Sequence, residues 1–563
     1  MTTTKKRIPI GESDFKNLIE GNNYFVDKSL LIKDIIEDNS LVILLPRPRR
    51  FGKTLNMTML RYFFEISDQD LRGLFTGLDI SKYPDIMEYA GNFPVIYLTF
   101  KDFKFTGWED SLSKFRTILA ELYSRHDYLF VKSLSKTDKI LIEKILTLES
   151  DPATLGSALK NLSRLLFSHF HKKPVILIDE YDTPLYAAWE HEYYAEMISF
   201  IRILLGSALK DNPYLEKAVL TGVMRIAKES VFSDLNNLEV YSILDRKFSE
   251  RFGFLEEEVL ELLREYQCTE SFHEVKEWYN GYQFGPHTVY NPWSVLNYIK
   301  HVESGPKPYW VQTSSNTLIQ IVFQKSDRQV KEDIQELLSG RPVTKQIRND
   351  FVLPEIFQSQ NALFSFLLFS GYLTALKISD THPPEYELKI PNREVSYVYD
   401  EIIVTWIEQF NSLGTFNQML NDLTKGNIES FIDYFSTIVA TSFSYFDLSE
   451  KKAENFYHAF VLGLFVSLSD VYNLRSNRES GFGRYDLMLI PRDPDKHTNG
   501  FVIEFKAVNE RRGETLDMAA GAALQQIHER EYAHELMSHH VHTIFLIGIA
   551  FKGKEVKILY DRI

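Results

Sequence analysis

Arg47-Pro48-Arg49-Arg50-Phe51-Gly52-Lys53-Thr54 is the stretch whose reading decides the fold. It follows the apolar run Leu41-Val42-Ile43-Leu44-Leu45 and leads into Leu55 to Ile66, which keeps helical spacing with Leu60, Phe63 and Phe64 as core candidates. A buried strand, a short loop ending Gly-Lys-Thr and a helix make a phosphate-binding P-loop. Backbone N–H groups of such a loop turn toward phosphate oxygens, and the helix N-terminus adds a favourable dipole. In this pattern Lys53 reaches the β- and γ-phosphates and the Thr54 hydroxyl holds Mg²⁺. The usual first glycine is replaced by Arg47, so other parts of the chain must supply the remaining walls of a nucleotide site.

Two further strand ends do so. Pro174-Val175-Ile176-Leu177-Ile178 runs straight into Asp179-Glu180-Tyr181-Asp182. An all-apolar run suits a parallel strand buried on both faces, and carboxylates at its C-terminal end fall where ligands bind in open α/β sheets. In this Walker B pattern Asp179 holds Mg²⁺ and Glu180 orients the attacking water as a base. A third run, Lys217-Ala218-Val219-Leu220-Thr221-Gly222-Val223, ends on Thr221, placed to sense the γ-phosphate or its water. Arg225 follows and is a candidate phosphate contact. The plainer alternative is that Thr221 ends a core strand and Arg225 pairs with a surface acid.

The C-terminal part changes character from about Asn427. A helix running to Ser467 carries Glu454, Tyr457 and His458, and is followed by strands at Arg484 to Ile490 and Gly500 to Ala507. A helix with Gln525 and Gln526 precedes two last strands, His542 to Phe551 and Glu555 to Tyr560. Glu504 and Lys506 are two apart on a strand and so share a face. Asp486, on the neighbouring strand, can reach the same place. Two carboxylates and an ammonium around Mg²⁺ or Mn²⁺ suit phosphodiester hydrolysis, with Lys506 positioning or deprotonating the attacking water. Glu454 is a further candidate ligand. The competing reading pairs Asp486 with Lys506 or Arg484.

Several of these motifs, in order, resemble the bacterial AAA-ATPase-like family: the Arg47–Thr54 loop, Asp179-Glu180-Tyr181-Asp182, Thr221-Gly222-Val223-Met224-Arg225-Ile226, Ser233-Asp234-Leu235-Asn236-Asn237, Trp278-Tyr279-Asn280-Gly281-Tyr282 and Val289-Tyr290-Asn291-Pro292-Trp293-Ser294. Members commonly carry an Arg-Pro-Arg-Arg-Phe-Gly-Lys-Ser/Thr loop, which makes Arg47 a family trait. The resemblance implies a nucleotide site drawn from Arg50, Phe51, Gly52, Lys53, Thr54, Asp179, Thr221 and Arg225. It also implies a C-terminal domain of the PD-(D/E)XK nuclease class, with Asp486, Glu504 and Lys506 as its core. Gln526 with Tyr532 resembles the Gln/Tyr helix element of that class, with Gln525 competing for the role.

The expected fold is therefore α/β: an AAA-like P-loop NTPase with a parallel sheet over residues 1–255, a helical lid or winged-helix-like and connecting region over 256–426, and an α/β PD-(D/E)XK nuclease-like domain over 427–563. The greasy stretch Leu363 to Leu376 is too short to span a bilayer and reads as a buried helix. The rings Trp278, Tyr279, Tyr282, Tyr290 and Trp293 read as packing rather than as a base-stacking surface. Arg341, Lys345 and Arg348 make a modest basic patch whose default reading is a solvated loop.

Bulk properties agree. The 563 residues are too many for one ordinary domain, and 44% hydrophobic with 25% charged residues is globular composition. A net charge of -14, from 63 Lys+Arg against 77 Asp+Glu, disfavours a chain that coats nucleic acid without specificity. One cysteine, Cys268, allows no intrachain disulfide, and no signal-like or membrane-spanning segment is read, so a cytoplasmic protein is expected. ATP is favoured over GTP because no Asn-Lys-x-Asp motif follows. The expected function is an ATPase coupled to a metal-dependent nuclease, with nucleic acid (DNA favoured) as partner and a homo-oligomer as a candidate state. The alternative is an ATP-dependent switch whose nuclease-like domain only binds nucleic acid or a partner.

Overall fold

The computed structural model describes residues 6–130, 134–224, 237–310, 328–338, 340–349, 351–379, 383–399, 413–442, 461, 465, 468, 471–480, 483–508, 513–530, 532–539 and 541–563. Arg225 and Glu454 lie outside the described residues. Two compact units are present, one of residues 1–318 with 343–395, the other of 319–342 with 396–563. The stretch 256–426, grouped as one region above, is thus shared between them.

The first unit is built on a sheet of β1 (Val42–Pro46), β2 (Val95–Thr99), β3 (Val175–Asp179), β4 (Lys217–Gly222) and β5 (Leu238–Val240), in the order β2-β3-β4-β1-β5. Every pairing is parallel. Parallel neighbours need crossovers, which helices such as Trp108–Ser124, Pro152–Phe170 and Tyr194–Leu209 provide. β1 and β3 are buried at every position, as apolar strands covered on both faces must be. β4 lies between β1 and β3, so the loop after β1 and the acidic end of β3 face each other across one strand's C-terminal end.

Beyond this sheet, helices Glu256–Glu265, Phe272–Tyr279 and Pro292–Lys300 alternate with a small antiparallel hairpin, β6 (Tyr282–Phe284) and β7 (His287–Val289). Trp278, Tyr279, Tyr282 and Tyr290 are all buried here, so they form packing and not a stacking platform. A three-stranded antiparallel sheet of β8 (Val343–Gln346), β9 (Thr374–Lys377) and β10 (Glu385–Lys389), in the order β8-β10-β9, completes the unit. The middle region is therefore not wholly helical.

One helix expectation is corrected in its second half. The greasy run is a helix only over Gln360–Phe369, and Thr374–Lys377 is strand β9. Ser370 closes the helix and Gly371, at φ 89°, turns the chain; a left-handed glycine is the usual stop. The basic patch is also dispersed: Arg341 pairs with Glu336, Arg348 lies 3.7 Å from Glu355, and Lys345 sits over the Phe364 ring at 4.8 Å.

The second unit holds a mixed sheet of β11 (Tyr472–Ser480), β12 (Gly483–Pro491), β13 (Asn499–Ala507), β14 (Thr543–Lys552) and β15 (Glu555–Arg562), paired in chain order. Only β13 and β14 run parallel, joined through helix Leu516–Glu529. Inward residues of the sheet, among them Leu487, Phe501, Ile503 and Phe545, join Phe431, Phe435 and Ile438 of helix Ile428–Ser442 in one core. No described helix in the chain is long and apolar enough to cross a membrane.

Gly548 sets how closely helix Leu516–Glu529 lies on β14. A Cβ there would meet the Ala520 carbonyl oxygen and the Leu524 nitrogen at 2.6 Å, and both are backbone atoms that cannot yield by a rotamer change. Gly548→Ala is expected to destabilise the second unit by about 2 kcal/mol, measured by denaturant unfolding of the full chain. An unchanged midpoint for that unit would show that the helix can slide away freely.

Candidate functional site

Helix Lys53–Phe64 starts at Gly52, whose φ of 81° lets the loop turn directly into the helix. Parallel register puts Leu45 beside Thr221 and Thr99 beside Asp179, so three polar groups, Thr99, Asp179 and Thr221, meet at one end of the sheet. Asp179 is fully buried among them. Its Oδ2 accepts from the Thr54 hydroxyl at 2.7 Å and from Thr99 at 3.4 Å, while its Oδ1 accepts from Thr221 at 2.6 Å. Burial pushes the Asp179 pKa up, and the neighbouring Glu180 adds to the effect. The structure thus brings Thr54, Asp179 and Thr221 into one hydrogen-bonded set.

Lys53 is buried, and its ammonium donates to the carbonyl oxygens of Arg47 at 3.1 Å and Pro48 at 3.0 Å. Burial lowers its pKa, opposed first by Glu180 and then by Asp179. Glu180 itself has φ 52°, an uncommon region for a residue with a side chain. Its backbone N–H donates to Thr221 Oγ1 and its carboxylate accepts from Thr183, each at 3.4 Å.

Arg47 does not add charge at the loop entrance. It is fully buried. Its guanidinium donates to the carbonyl oxygens of Pro46 at 2.8 Å, Tyr241 at 2.7 Å and Phe248 at 3.3 Å. It also lies over the Phe252 and Phe284 rings at 4.8 and 5.6 Å. Burial lowers its pKa to about 9. A glycine has nothing to offer those carbonyls, so at this position the arginine is an anchor. The other loop residues are held from the same side. Phe51 packs on Tyr282 and Phe284 at 4.9 and 5.1 Å, and the Arg49 carbonyl accepts from the Trp310 indole at 3.3 Å. A cavity of about 90 Å³ opens beside Phe51 and Gly52, lined also by Tyr24, Phe25, Leu55, Phe254 and Leu296.

Three residues of this site were not singled out from the sequence. Thr99 ends an apolar strand just as Thr221 does, and that shared signature could have found it. Tyr181 and Asp182 are buried clamps. Tyr181 donates to the Met224 carbonyl at 2.7 Å, and Asp182 accepts from the Val223 and Met224 N–H groups at 2.8 and 3.1 Å. They fix the chain leaving β4 just before Arg225.

In the second unit the C-terminal constellation also assembles. Leu487 pairs with Ile503 across the β12–β13 ladder. One step further along, the Phe505 N–H donates to Asp486 Oδ2 at 2.8 Å and the Asp486 N–H lies 3.4 Å from Glu504 Oε2. Lys506 donates to Gln526 Oε1 at 3.0 Å, and the Gln526 amide N–H₂ donates to Glu504. Gln526 is therefore the glutamine of the site, while Gln525 turns to Glu529 at 2.7 Å. The charges of Glu504 and Asp486 help raise the Tyr532 pKa, behind burial as the main cause. Asp486, Glu504, Lys506, Gln526 and Tyr532 thus surround one place. Asp486 and Glu504 offer the hard oxygen donors that Mg²⁺ or Mn²⁺ prefers. Among the described residues no group of three His, Cys, Asp or Glu side chains converges.

Comparison with known proteins agrees with both halves. Residues 9–232 match the family described as predicted AAA-ATPase, and residues 452–560 match the PD-(D/E)XK nuclease superfamily. The chain carries a predicted AAA-ATPase domain and a PD-(D/E)XK nuclease superfamily domain. It is also 26% identical, over 97% of each chain, to "Uncharacterized protein in vnfD 5'region" of Azotobacter chroococcum mcd 1. The AAA-ATPase match covers the P-loop, β3 and β4 with their polar ends, and the nuclease match covers Asp486, Glu504, Lys506 and Gln526.

Two predictions follow from the clamps around the P-loop. Arg47→Met leaves three backbone carbonyls without their donor and is expected to cost about 3 kcal/mol of stability in the first unit; a variant as stable as wild type in urea would remove the anchor role. For Asp182, burial pushes the pKa up to about 6, whereas an unfolded aspartate titrates near 4. Between those values the folded state binds more protons, so this group's contribution to stability is present at low pH and is lost as pH rises through about 6. Asp182→Asn keeps an acceptor oxygen without the charge. It should gain on wild type by up to roughly 2 kcal/mol between pH 4 and 7, and parallel stability–pH curves would rule this out.

Proposed function

We propose that this protein binds and hydrolyses ATP in its N-terminal domain and cleaves nucleic-acid phosphodiesters in its C-terminal domain, with the first reaction governing the second. The observation that carries the reading is the presence, in one chain, of two separate acid sites of phosphate-handling type: Thr54–Asp179–Thr221 and Asp486–Glu504–Lys506–Gln526.

At the first site, Gly52, Lys53 and the start of helix Lys53–Phe64 supply the donors for the phosphates, with Arg50 and Phe51 at the margins of the site and Arg225 as a further proposed phosphate contact. Thr54 and Asp179 would hold Mg²⁺, and Glu180 would orient the attacking water. The apolar cavity beside Phe51 offers room for the base. In the second site Asp486 and Glu504 would hold Mg²⁺ or Mn²⁺, with Glu454 as a further proposed ligand. A metal bound there polarises the scissile phosphate and acidifies its water. Lys506 positions that water or takes its proton, and Gln526 fixes both the Lys506 ammonium and the Glu504 carboxylate. DNA is the favoured substrate, by analogy with the nuclease class.

A second reading makes the C-terminal domain a binding module switched by ATP. It is favoured by the engagement of Glu504, which is 4% exposed and already bonded to Gln526, with no third acid joining it among the described residues. One experiment separates the two. The full-length chain is assayed on single- and double-stranded DNA and RNA, with and without ATP, in Mg²⁺, Mn²⁺ or EDTA. Metal-dependent cleavage is expected, reduced about 100-fold or more by Lys506→Ala and made insensitive to ATP by Lys53→Ala. Glu180→Gln should bind ATP without turning it over. No cleavage of any substrate under any condition would overturn the nuclease reading, and normal turnover by Glu180→Gln would overturn the role of that base.

A further inference from the structure

Arg50 stands in a conformation that a P-loop ordinarily assigns to glycine. Its φ is 68°, a region glycine enters without strain and arginine does not. The side chain retained at that cost is directed to one place. The Arg50 guanidinium lies 4.3 Å from the centroid of the Trp293 ring, in a cation–π stack. Trp293 belongs to helix Pro292–Lys300, and its indole donates to the Tyr309 carbonyl at 3.3 Å. The next residue, Trp310, bonds the Arg49 carbonyl through its indole at 3.3 Å and the buried Glu394 through its backbone N–H at 2.7 Å. Both the backbone before Arg50 and its side chain are thus held by one aromatic segment. Burial lowers the pKa of the Arg50 guanidinium; the charge of Glu180 opposes that effect and the charge of Arg49 adds to it. Glu180 is a further non-glycine residue of the site with positive φ, at 52°.

We propose that Arg50 is a built-in contact for the terminal phosphate of the nucleoside triphosphate, parked on Trp293 until that phosphate arrives. This rests on the nucleotide reading above. A guanidinium presents a planar fork of donors that fits phosphate oxygens two at a time, and a charge-assisted pair of this kind outcompetes a stack on a neutral ring. Transfer of Arg50 from the ring to the phosphate undoes the Trp293 stack, so helix Pro292–Lys300 senses a triphosphate but not a diphosphate.

The test uses the full-length chain, with AMP-PNP and ADP as ligands in Mg²⁺, read by calorimetry and by tryptophan emission. Arg50→Gln is expected to weaken AMP-PNP by about tenfold or more and ADP by no more than about twofold; retained ADP binding also reports a folded site. Arg50→Lys, with charge but no fork, should weaken AMP-PNP several-fold. Wild type should show an emission difference between AMP-PNP and ADP that Trp293→Phe abolishes. Equal affinities in wild type and both Arg50 variants overturn the proposal, and so does an equal loss of both ligands in Arg50→Lys, which assigns the residue to the fold. Wild type binding both ligands, Lys53→Ala binding neither, and Arg50→Gln behaving as wild type would sink this proposal alone. Wild type binding neither ligand would remove the nucleotide reading and this proposal with it.

Discussion

A guanidinium fully removed from water sits under the P-loop, and its need for acceptors dictates where that loop lies. Taking a cation out of water costs several kcal/mol unless its donors are met. Arg47 offsets part of that cost with carbonyls from its own strand end and from Tyr241 and Phe248, between two aromatic faces, while its Nε has no hydrogen-bond partner among the described residues. The carbonyls come from far along the chain, so the phosphate loop is only in place once the segment after β5 has folded onto it. Pro48 against Gly371, the Arg49 carbonyl on Trp310, Arg50 on Trp293 and Phe51 on the β6–β7 hairpin repeat the same theme one residue at a time. An ordinary glycine-rich loop is shaped mainly by its ligand. This one is also shaped by the polypeptide around it.

That difference explains what the sequence shows and what it hides. Strands that are apolar throughout and then end in a polar residue are visible by inspection, because burial on both faces of a parallel sheet leaves no other composition. β1, β3 and β4, with Thr54, Asp179 and Thr221 at their mouths, are therefore legible in advance. Position within the sheet is not, since the insertion of β4 between β1 and β3 depends on crossovers and not on any local pattern. The role of Arg47 is hidden for a similar reason. A run of arginines in a loop reads as solvent-facing charge, and only tertiary contacts reveal that one member is buried. The rings at Trp278 to Tyr290 are read as packing from the start because their spacing fills a core, whereas the strand in the second half of the Leu363 to Leu376 run is lost, since apolar stretches of that length do not distinguish helix from strand.

The C-terminal site divides along the same line. Two residues separated by one along a strand share a face, so Glu504 and Lys506 are paired by geometry alone. The choice between Gln525 and Gln526 needs the rotation of helix Leu516–Glu529, which the close approach at Gly548 sets. With that rotation, Gln526 touches both Lys506 and Glu504. The correspondence to the AAA-ATPase and nuclease families covers the parts read from strand ends. The aromatic segment that holds the P-loop lies past the matched residues, in the portion that only the three-dimensional structure explains.

The two compact units are interleaved in the chain, the first using residues 1–318 and 343–395 and the second 319–342 and 396–563. On a ribosome this has an order. The first unit cannot be finished when its parallel sheet has emerged, because β8, β9 and β10 emerge only after a piece of the other unit has left the tunnel. That piece, with helix Arg328–Leu338, must wait for the whole remainder of the chain before Leu338 finds the core it packs against. A single cut anywhere in the sequence therefore cannot release both halves whole. The two units are joined as interleaved segments of one chain rather than as beads on a string.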